Sequence, residues 1–447
     1  MGRIIALPIE TIVRELDAKV LLSVYLLQEG FEVLLGSRGS VWNELKFLRN
    51  ADIIYKSISI DIKDNLFSVR ENSGKVYILD EEANVFSKNQ DDIIKSIFPE
   101  DMTEYIDHYF ISGEKIKSLV LKNIAGINEN QLHVVGHPRF DYFKKTYRDY
   151  YRSTTDKIKS RYGKFILFNL NFSLGNPYRG WNAQINYLDN HPDFNGSFIS
   201  DMKNKMIWQK RNVQEFIRII KQTADFYNTY NIIVRPHPSE NENLYINEFK
   251  SFKNIFVEKE GNVLNWIPAS MISVHYDCTT GIETVLYGKP SISYTPNRDE
   301  KLVNWLSPFV SDEVHTEEDF FRTLESYLNG QKKWTLSEEK SNVLNSYIAN
   351  QTIDSAKEIS KIIKTLTPTK HSYSINSIIR FFSRLRKRLG KFKRILFIKD
   401  EYTHHFRDLK KRDVKAGINK LIDILEFDFE IEVINHGIDT YLIRKSR

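Results

Sequence analysis

A chain of 447 residues, 41% hydrophobic and 27% charged, is long enough for two or three domains and too rich in apolar residues for wholesale disorder. Its single cysteine, Cys278, excludes an internal disulfide and a cysteine-rich zinc site, and fits a reducing compartment. The net charge of +6 is local: residues 380–394 hold eight basic side chains and no acid, and without those eight charges the rest of the chain stands at −2. That distribution argues against a general nucleic-acid binder.

At the amino terminus no basic region precedes a long apolar run, so a signal peptide is not expected. The longest apolar stretch, residues 19–27, is far short of the ~20 residues of a membrane span. Residues 3–7 read as a strand. Residues 15–29 carry Leu16, Val20, Val24 and Leu27 at helical spacing, ended by Gly30. A second strand, 31–35, closes at Gly36-Ser37-Arg38-Gly39, and further strands are expected at 53–55, 75–79, 109–111 and 132–135. After a tyrosine-rich helix at 142–161 the pattern restarts with a strand at 164–169. A loop at 175–206, a helix at 213–229 and a strand at 231–235 follow. Strands at 254–257, 271–275 and 290–294, with a helix at 281–287, complete this half. Strands alternating with helices predict parallel βαβ units in two Rossmann-like halves.

From Ser374 the character changes. Ile375, Ile378, Ile379, Phe382, Leu385, Leu389, Phe392 and Leu396 share one helical face, and Arg380, Arg384, Lys387, Lys391 and Arg394 share the other. This basic amphipathic helix, Ile375 to Leu396, predicts an anchor on an anionic membrane surface, the rival reading being a helix docked on the body. A helix at 408–425 and a hairpin, 430–434 against 439–443, end the chain. The expected domains are 1–155, 156–367 and a small α+β extension, 368–447; a chain ending at Thr367 is expected to remain soluble.

No P-loop, GxGxxG or HExxH is present, and no Asp-x-Asp. The last absence counts against a donor site organised by a divalent metal. The strongest local feature is Arg235-Pro236-His237-Pro238, where a strand ends in two prolines. Carboxyl ends of parallel strands are where open sheets bind ligands, and Arg and His can both donate to phosphate. The plain alternative is a proline-capped turn. The second feature is Asp277-Cys278-Thr279-Thr280-Gly281-Ile282-Glu283, a hydroxyl-rich turn at a helix amino terminus, where N–H groups and the helix dipole favour an anion. Glu283 is placed to cap that helix or to accept from a ribose. The plain alternative is helix capping by threonine.

Together, Arg-Pro-His-Pro, then Asp-x-Thr-Thr-Gly-x-Glu about forty residues later, then Gly288-Lys289-Pro290, resemble the C-terminal half of GT-B enzymes that build bacterial surface polysaccharides. These include Kdo and sialic-acid transferases that use CMP-sugars, and the CDP-glycerol glycerophosphotransferases. Gly136-His137-Pro138-Arg139-Phe140-Asp141 resembles the family's G-N-P-R-x-D, with His137 in place of Asn. Segments 79–82 and 168–172 resemble the surface carbohydrate biosynthesis group; the likeness covers roughly residues 1–365.

The resemblance implies an α/β chain of GT-B fold, with two Rossmann-like domains facing a central cleft. Residues 1–155 would take the acceptor and 156–367 the nucleotide donor. His237, Thr279 and Thr280 would hold the donor phosphates, with Arg235 as a second ligand, Pro238 shaping the turn and Gly281 allowing close backbone approach. Asp80, Glu81 and Glu82, after a strand, would supply a base or a nucleophile; which of them acts is open, as is a retaining or inverting outcome. A solvated acidic loop is the alternative. Asn169 and Asn171 are candidates for donor or acceptor contact, and Pro8, Glu10 and the segment Ser37 to Ser40 for the acceptor side. The implied activity is metal-independent transfer of a Kdo-like or nonulosonic sugar from a CMP-sugar to a glycan or lipid-linked acceptor in capsule or lipopolysaccharide assembly. It implies no cofactor and a peripheral position on the inner face of the cytoplasmic membrane. Rival activities are a CDP-glycerol or CDP-ribitol polyol-phosphate transferase, a UDP-sugar 2-epimerase, and a non-catalytic glycan-binding or export adaptor.

Overall fold

The computed structural model describes residues 2–58, 62–80, 90–191, 196–367, 409–437 and 439–446. Glu81, Glu82 and the basic amphipathic segment Ile375 to Leu396 lie outside the described residues. The chain divides into two compact units. Among the described residues, the second holds Tyr151–Leu344, and the first holds those before Tyr151 and those from Asn345 on.

The first unit contains an eight-stranded sheet. Six of its strands are β1 (Ile4–Ile9), β2 (Glu32–Ser37), β3 (Ala51–Tyr55), β4 (Val76–Leu79), β5 (His108–Ile111) and β6 (Leu132–Val134). All six pair in parallel in the order β2-β1-β3-β4-β5-β6. The second unit contains β7 (Phe165–Asn169), β8 (Asn231–Arg235), β9 (Ile255–Val257), β10 (Ile272–His275), β11 (Ser291–Tyr294) and β12 (Asp312–Val314). These are parallel throughout, in the order β12-β11-β10-β7-β8-β9. Helices cover such sheets on both faces, so their strands are continuous apolar runs: β1, β4 and β7 are buried end to end. In each sheet the chain returns to a central strand and reverses direction. The switch points are therefore β1/β3 and β7/β10, where ligands of this architecture sit beyond the carboxyl ends.

Four sequence expectations need correction. The expected loop at 175–206 contains the helix Trp181–Asn190 and the first turns of Gly196–Phe226, the helix expected only from Val213. Leu188 is the only fully buried residue of the first helix, too little apolar pattern to reveal a period. The expected helix at 142–161 is a short turn, Lys145–Tyr150, followed by the helix Arg152–Tyr162, and the two units part between them. Strand β12 was not anticipated. Finally, residues 345–367 go with the first unit, where the helix Ser355–Leu366 packs on Ile12–Gln28.

The motif Gly136 to Asp141 explains that return. Asp141, wholly buried, accepts from the Ser355 and Ala356 N–H groups at the start of the helix Ser355–Leu366, and from the Asn350 amide. Burial pushes its carboxyl up to about 6, against these donors. Gly136, at φ +75°, leaves room for Asn350, which a Cβ would strike.

The C-terminal extension also belongs to the first unit. Strands β13 (Ile431–Gly437) and β14 (Thr440–Lys445) form the expected hairpin, and β14 pairs antiparallel with β2, from Thr440 opposite Gly36 to Ile443 opposite Val33. Gly36 has no side chain because the Thr440 backbone occupies that space. The helix Lys411–Ile424 lies on Ile12–Gln28, burying Val414, Ile418, Leu421 and Ile422. Among the described residues no helix is long and apolar enough to cross a membrane.

Candidate functional site

In the second unit, three loops leave the carboxyl ends of the adjacent strands β8, β7 and β10, and two buried carboxylates tie them together. Asn171, after β7, donates its amide to Asp277, after β10, at 3.2 Å. The next residue, Phe172, donates its backbone N–H to Glu240 Oε1 at 2.9 Å. The same oxygen accepts the His237 N–H at 3.0 Å, and Oε2 accepts the Tyr245 hydroxyl at 2.5 Å. Burial raises the pKa of both acids, and the surrounding donors oppose the rise. Glu240 lies three residues beyond His237 in sequence; its role is set by Phe172 and Tyr245, which no local motif exposes.

The Arg-Pro-His-Pro segment separates into two functions. Arg235 is engaged with backbone carbonyls. Its guanidinium donates to the carbonyls of Glu258, Glu260 and Gly261 and lies over the Trp266 ring, 4.9 Å from the centroid. Burial lowers its pKa to about 10, so it stays charged and holds the 258–261 loop. His237 is partly exposed. Its Nδ1 accepts the Ser239 N–H at 3.2 Å, which assigns the neutral ring's proton to Nε2, a donor. Pro238 makes the bend, and Glu240 N–H closes the turn on the His237 carbonyl at 2.8 Å.

Thr279 and Thr280 begin the helix Thr280–Tyr287. Simple capping does not describe them: the Thr279 side chain makes no cap hydrogen bond, and Thr280 Oγ1 is buried with no oxygen or nitrogen partner. Burial pushes the adjacent Cys278 thiol up, with Thr280 opposing the shift. Glu283 is buried in the first turn. The close approach that Gly281 permits is to side chains, since a Cβ would collide with His275 and Ser307. His275 is fully buried and neutral, pushed down to about 3 by burial, and its Nε2 meets Ser311 Oγ at 2.9 Å. Asn169 serves the sheet: its amide donates to Ser273 on β10 at 2.9 Å.

A buried hydroxyl with no oxygen or nitrogen partner gives a sharp test. Thr280→Val removes only its contact with the Cys278 thiol, so thermal stability should change little, while nucleotide affinity falls by ~1–3 kcal/mol if that hydroxyl serves a charged phosphate. Thr279→Val should act likewise on affinity. Lost stability with unchanged affinity in calorimetry would make the turn purely structural.

In the first unit, the strand ends at the β1/β3 switch point carry a charged cluster. Glu10, after β1, pairs with Lys56, after β3, at 2.6 Å, and with Arg38, after β2, at 3.5 Å. Burial would raise the Glu10 pKa, but the two cations overcome it and hold the carboxyl below its ordinary range. Glu15 fixes the turn by accepting the Glu10 and Thr11 N–H groups. Ser37 donates its N–H to the Asp439 carbonyl of the hairpin, and Ser40 lies in the helix Arg38–Leu45. Asp80 ends β4, buried. The sequence pointed to Glu10 and to residues 37–40, Arg38 among them, but not to Lys56 or Glu15, whose role depends on adjacent strand ends.

No family model and no curated protein matches the chain. Solved structures do. The wall teichoic acid polymerase TagF superposes with a TM-score of 0.50 at 9% identity, over 81% of this chain and 88% of that one. The fold is GT-B. Neisseria meningitidis UDP-GlcNAc 2-epimerase bound to UDP-GlcNAc gives 0.49 at 11% identity, over 81% and 98% of the two chains. The Methanocaldococcus jannaschii UDP-GlcNAc 2-epimerase, in complex with UDP-GlcNAc and UDP, gives 0.48 at 13%, with the same coverage. At these identities the likeness is one of architecture, shared among nucleotide-sugar enzymes, and function has to be argued from the site.

Proposed function

We propose that this protein is a metal-independent glycosyltransferase of bacterial surface-polysaccharide assembly, moving a Kdo-like or nonulosonic sugar from a CMP-sugar to a glycan or lipid-linked acceptor. One observation carries the reading. At the switch point of the second sheet, Asn171–Asp277 and Phe172–Glu240–His237 fix a histidine donor and a helix amino terminus, whose Thr280 hydroxyl has no oxygen or nitrogen partner, on neighbouring loops. That arrangement suits a phosphate that gains negative charge as it leaves.

In the proposed reaction the acceptor oxygen bonds to the anomeric carbon while the bond from that carbon to the CMP phosphate oxygen breaks. CMP departs with the electron pair. His237 Nε2–H and the Thr279–Thr280 turn meet its charge, and the acceptor proton passes to a carboxylate among Asp80, Glu81 and Glu82. A retaining course would instead use that carboxylate as nucleophile. The basic segment Ile375 to Leu396 would hold the enzyme on the cytoplasmic face of an anionic membrane.

The TagF likeness favours a second reading within the same chemistry, a polyol-phosphate transferase using a CDP-polyol. A thermal-shift panel of CMP, CDP, UDP and GDP tests both. The cognate nucleotide at 100 times its dissociation constant should add ~2.7 kcal/mol of stability. Preference for CMP supports the sugar transferase, and release of CMP rather than a free 2-epimer separates it from an epimerase. Activity is expected to survive EDTA; strict dependence on Mg²⁺ or Mn²⁺ would reassign how the leaving phosphate is stabilised. Silence to all four nucleotides would leave the adaptor reading.

A further inference from the structure

A donor site without a metal needs a full positive charge near the phosphate, and the arginine of the Arg-Pro-His-Pro motif is spent on carbonyls. Lys259, in the loop after β9, reaches across to the histidine turn. Its Nζ donates to the Glu240 carbonyl, the last residue of that turn, at 2.8 Å. It also lies 5.5 Å from the centroid of the Tyr178 ring, and the Tyr178 N–H donates to the Ser239 carbonyl in the same turn. Tyr178, Ser239, Glu240 and Lys259 thus form one contiguous patch beside His237.

Lys56, Arg218 and Arg298 each have a carboxylate within ion-pair distance. Lys259 has none among the described residues, although it is partly buried. Among those residues Lys75, Lys289 and Lys340 also donate to carbonyls without an ion pair; what sets Lys259 apart is its place just beyond the carboxyl end of a strand, β9. Burial lowers its pKa, and only longer-range attraction from Glu242 and Glu240 opposes the shift. A carbonyl and an aromatic face orient an ammonium without neutralising it. A partly buried cation kept unneutralised at the carboxyl end of a parallel sheet is matched to an anion that comes and goes.

We propose that Lys259 is a phosphate-binding residue of the donor site, pairing with the nucleoside phosphate beside His237. The inference rests on the donor-site reading above. Its test is calorimetry on the full-length protein with cytidine, CMP and CDP, at low and high salt. Lys259→Gln keeps an N–H donor for the Glu240 carbonyl and removes only the charge; Lys259→Met removes both. In Lys259→Gln, CMP and CDP should bind about tenfold more weakly and with less salt dependence, while cytidine stays within about twofold of the wild type. Lys259→Arg should retain most of the phosphate-dependent affinity. Lys250→Met, an exposed lysine on the helix-end beyond the site, controls for net charge.

Equal loss for all three ligands, or full retention in Lys259→Gln with loss only in Lys259→Met, would reduce Lys259 to a brace for the turn and overturn the proposal. A wild-type protein that binds none of the three would instead overturn the donor-site reading, and this assignment with it.

Discussion

Replacing His237 with alanine is expected to lower transfer by ~10²–10³-fold while leaving the second unit folded, the range seen when one preorganised donor is removed from a developing charge. The fold should survive because the backbone N–H bond from this residue to buried Glu240 is kept by alanine. The Ser239 N–H loses its acceptor, at a partly exposed position where water can replace it. A control is built into the chain. His137 repeats the wiring: its Nδ1 accepts the Arg139 N–H at 3.1 Å, and its own N–H donates to the Asn350 amide oxygen at 2.8 Å. Yet His137 is buried in the first unit. His137→Ala should therefore cost stability and spare nucleotide affinity, the reverse of His237→Ala. Thermal unfolding and CMP calorimetry on both variants check this. Near-normal turnover in His237→Ala would remove this histidine from the site.

Local patterns carried most of the strands, because a parallel strand buried on both faces is an uninterrupted apolar run that needs no partner to be recognised. Phe165–Asn169 and Asn231–Arg235 are examples. The same patterns located the two turns, His237-Pro238 and Thr279-Thr280. They did not reveal the carbonyl partners of Arg235, which lie in a loop some twenty-five residues away. Glu240, Lys259, Lys56 and Asn350 were invisible for the same reason: each acts on a strand end or turn brought near only by the sheet order. The helix Trp181–Asn190 was hidden differently, by having one fully buried residue instead of an apolar stripe.

The C-terminal hairpin is the plainest case, and it changes what truncation should do. From sequence, a chain ending at Thr367 loses only a membrane-binding appendage. The structure leads to the opposite expectation: that truncation should unfold or aggregate the first unit. It removes β14 and so uncovers the edge of β2 from Val33 to Gly36, an apolar strand with unpaired backbone groups. It also removes ten buried apolar residues: Leu409, Val414, Ile418, Leu421, Ile422, Ile431, Val433, Tyr441, Leu442 and Ile443. Their loss bares the apolar side chains of Ile12–Gln28 that the helix Lys411–Ile424 covers. The Ser37 N–H loses the Asp439 carbonyl, and buried Glu44 loses His436, 3.2 Å away. Size-exclusion chromatography and thermal unfolding of the 1–367 chain should show aggregation or a transition lowered by well over ten degrees; a monomer with unchanged stability would make the hairpin dispensable. Membrane binding consequently needs a variant that spares the sheet. Reversing the charges of Arg380, Arg384 and Lys387 in the full chain should leave thermal stability in place and weaken binding to anionic vesicles, since each cation near such a surface contributes roughly 1 kcal/mol. Vesicle affinity unchanged by that reversal would leave the anchor without an electrostatic basis.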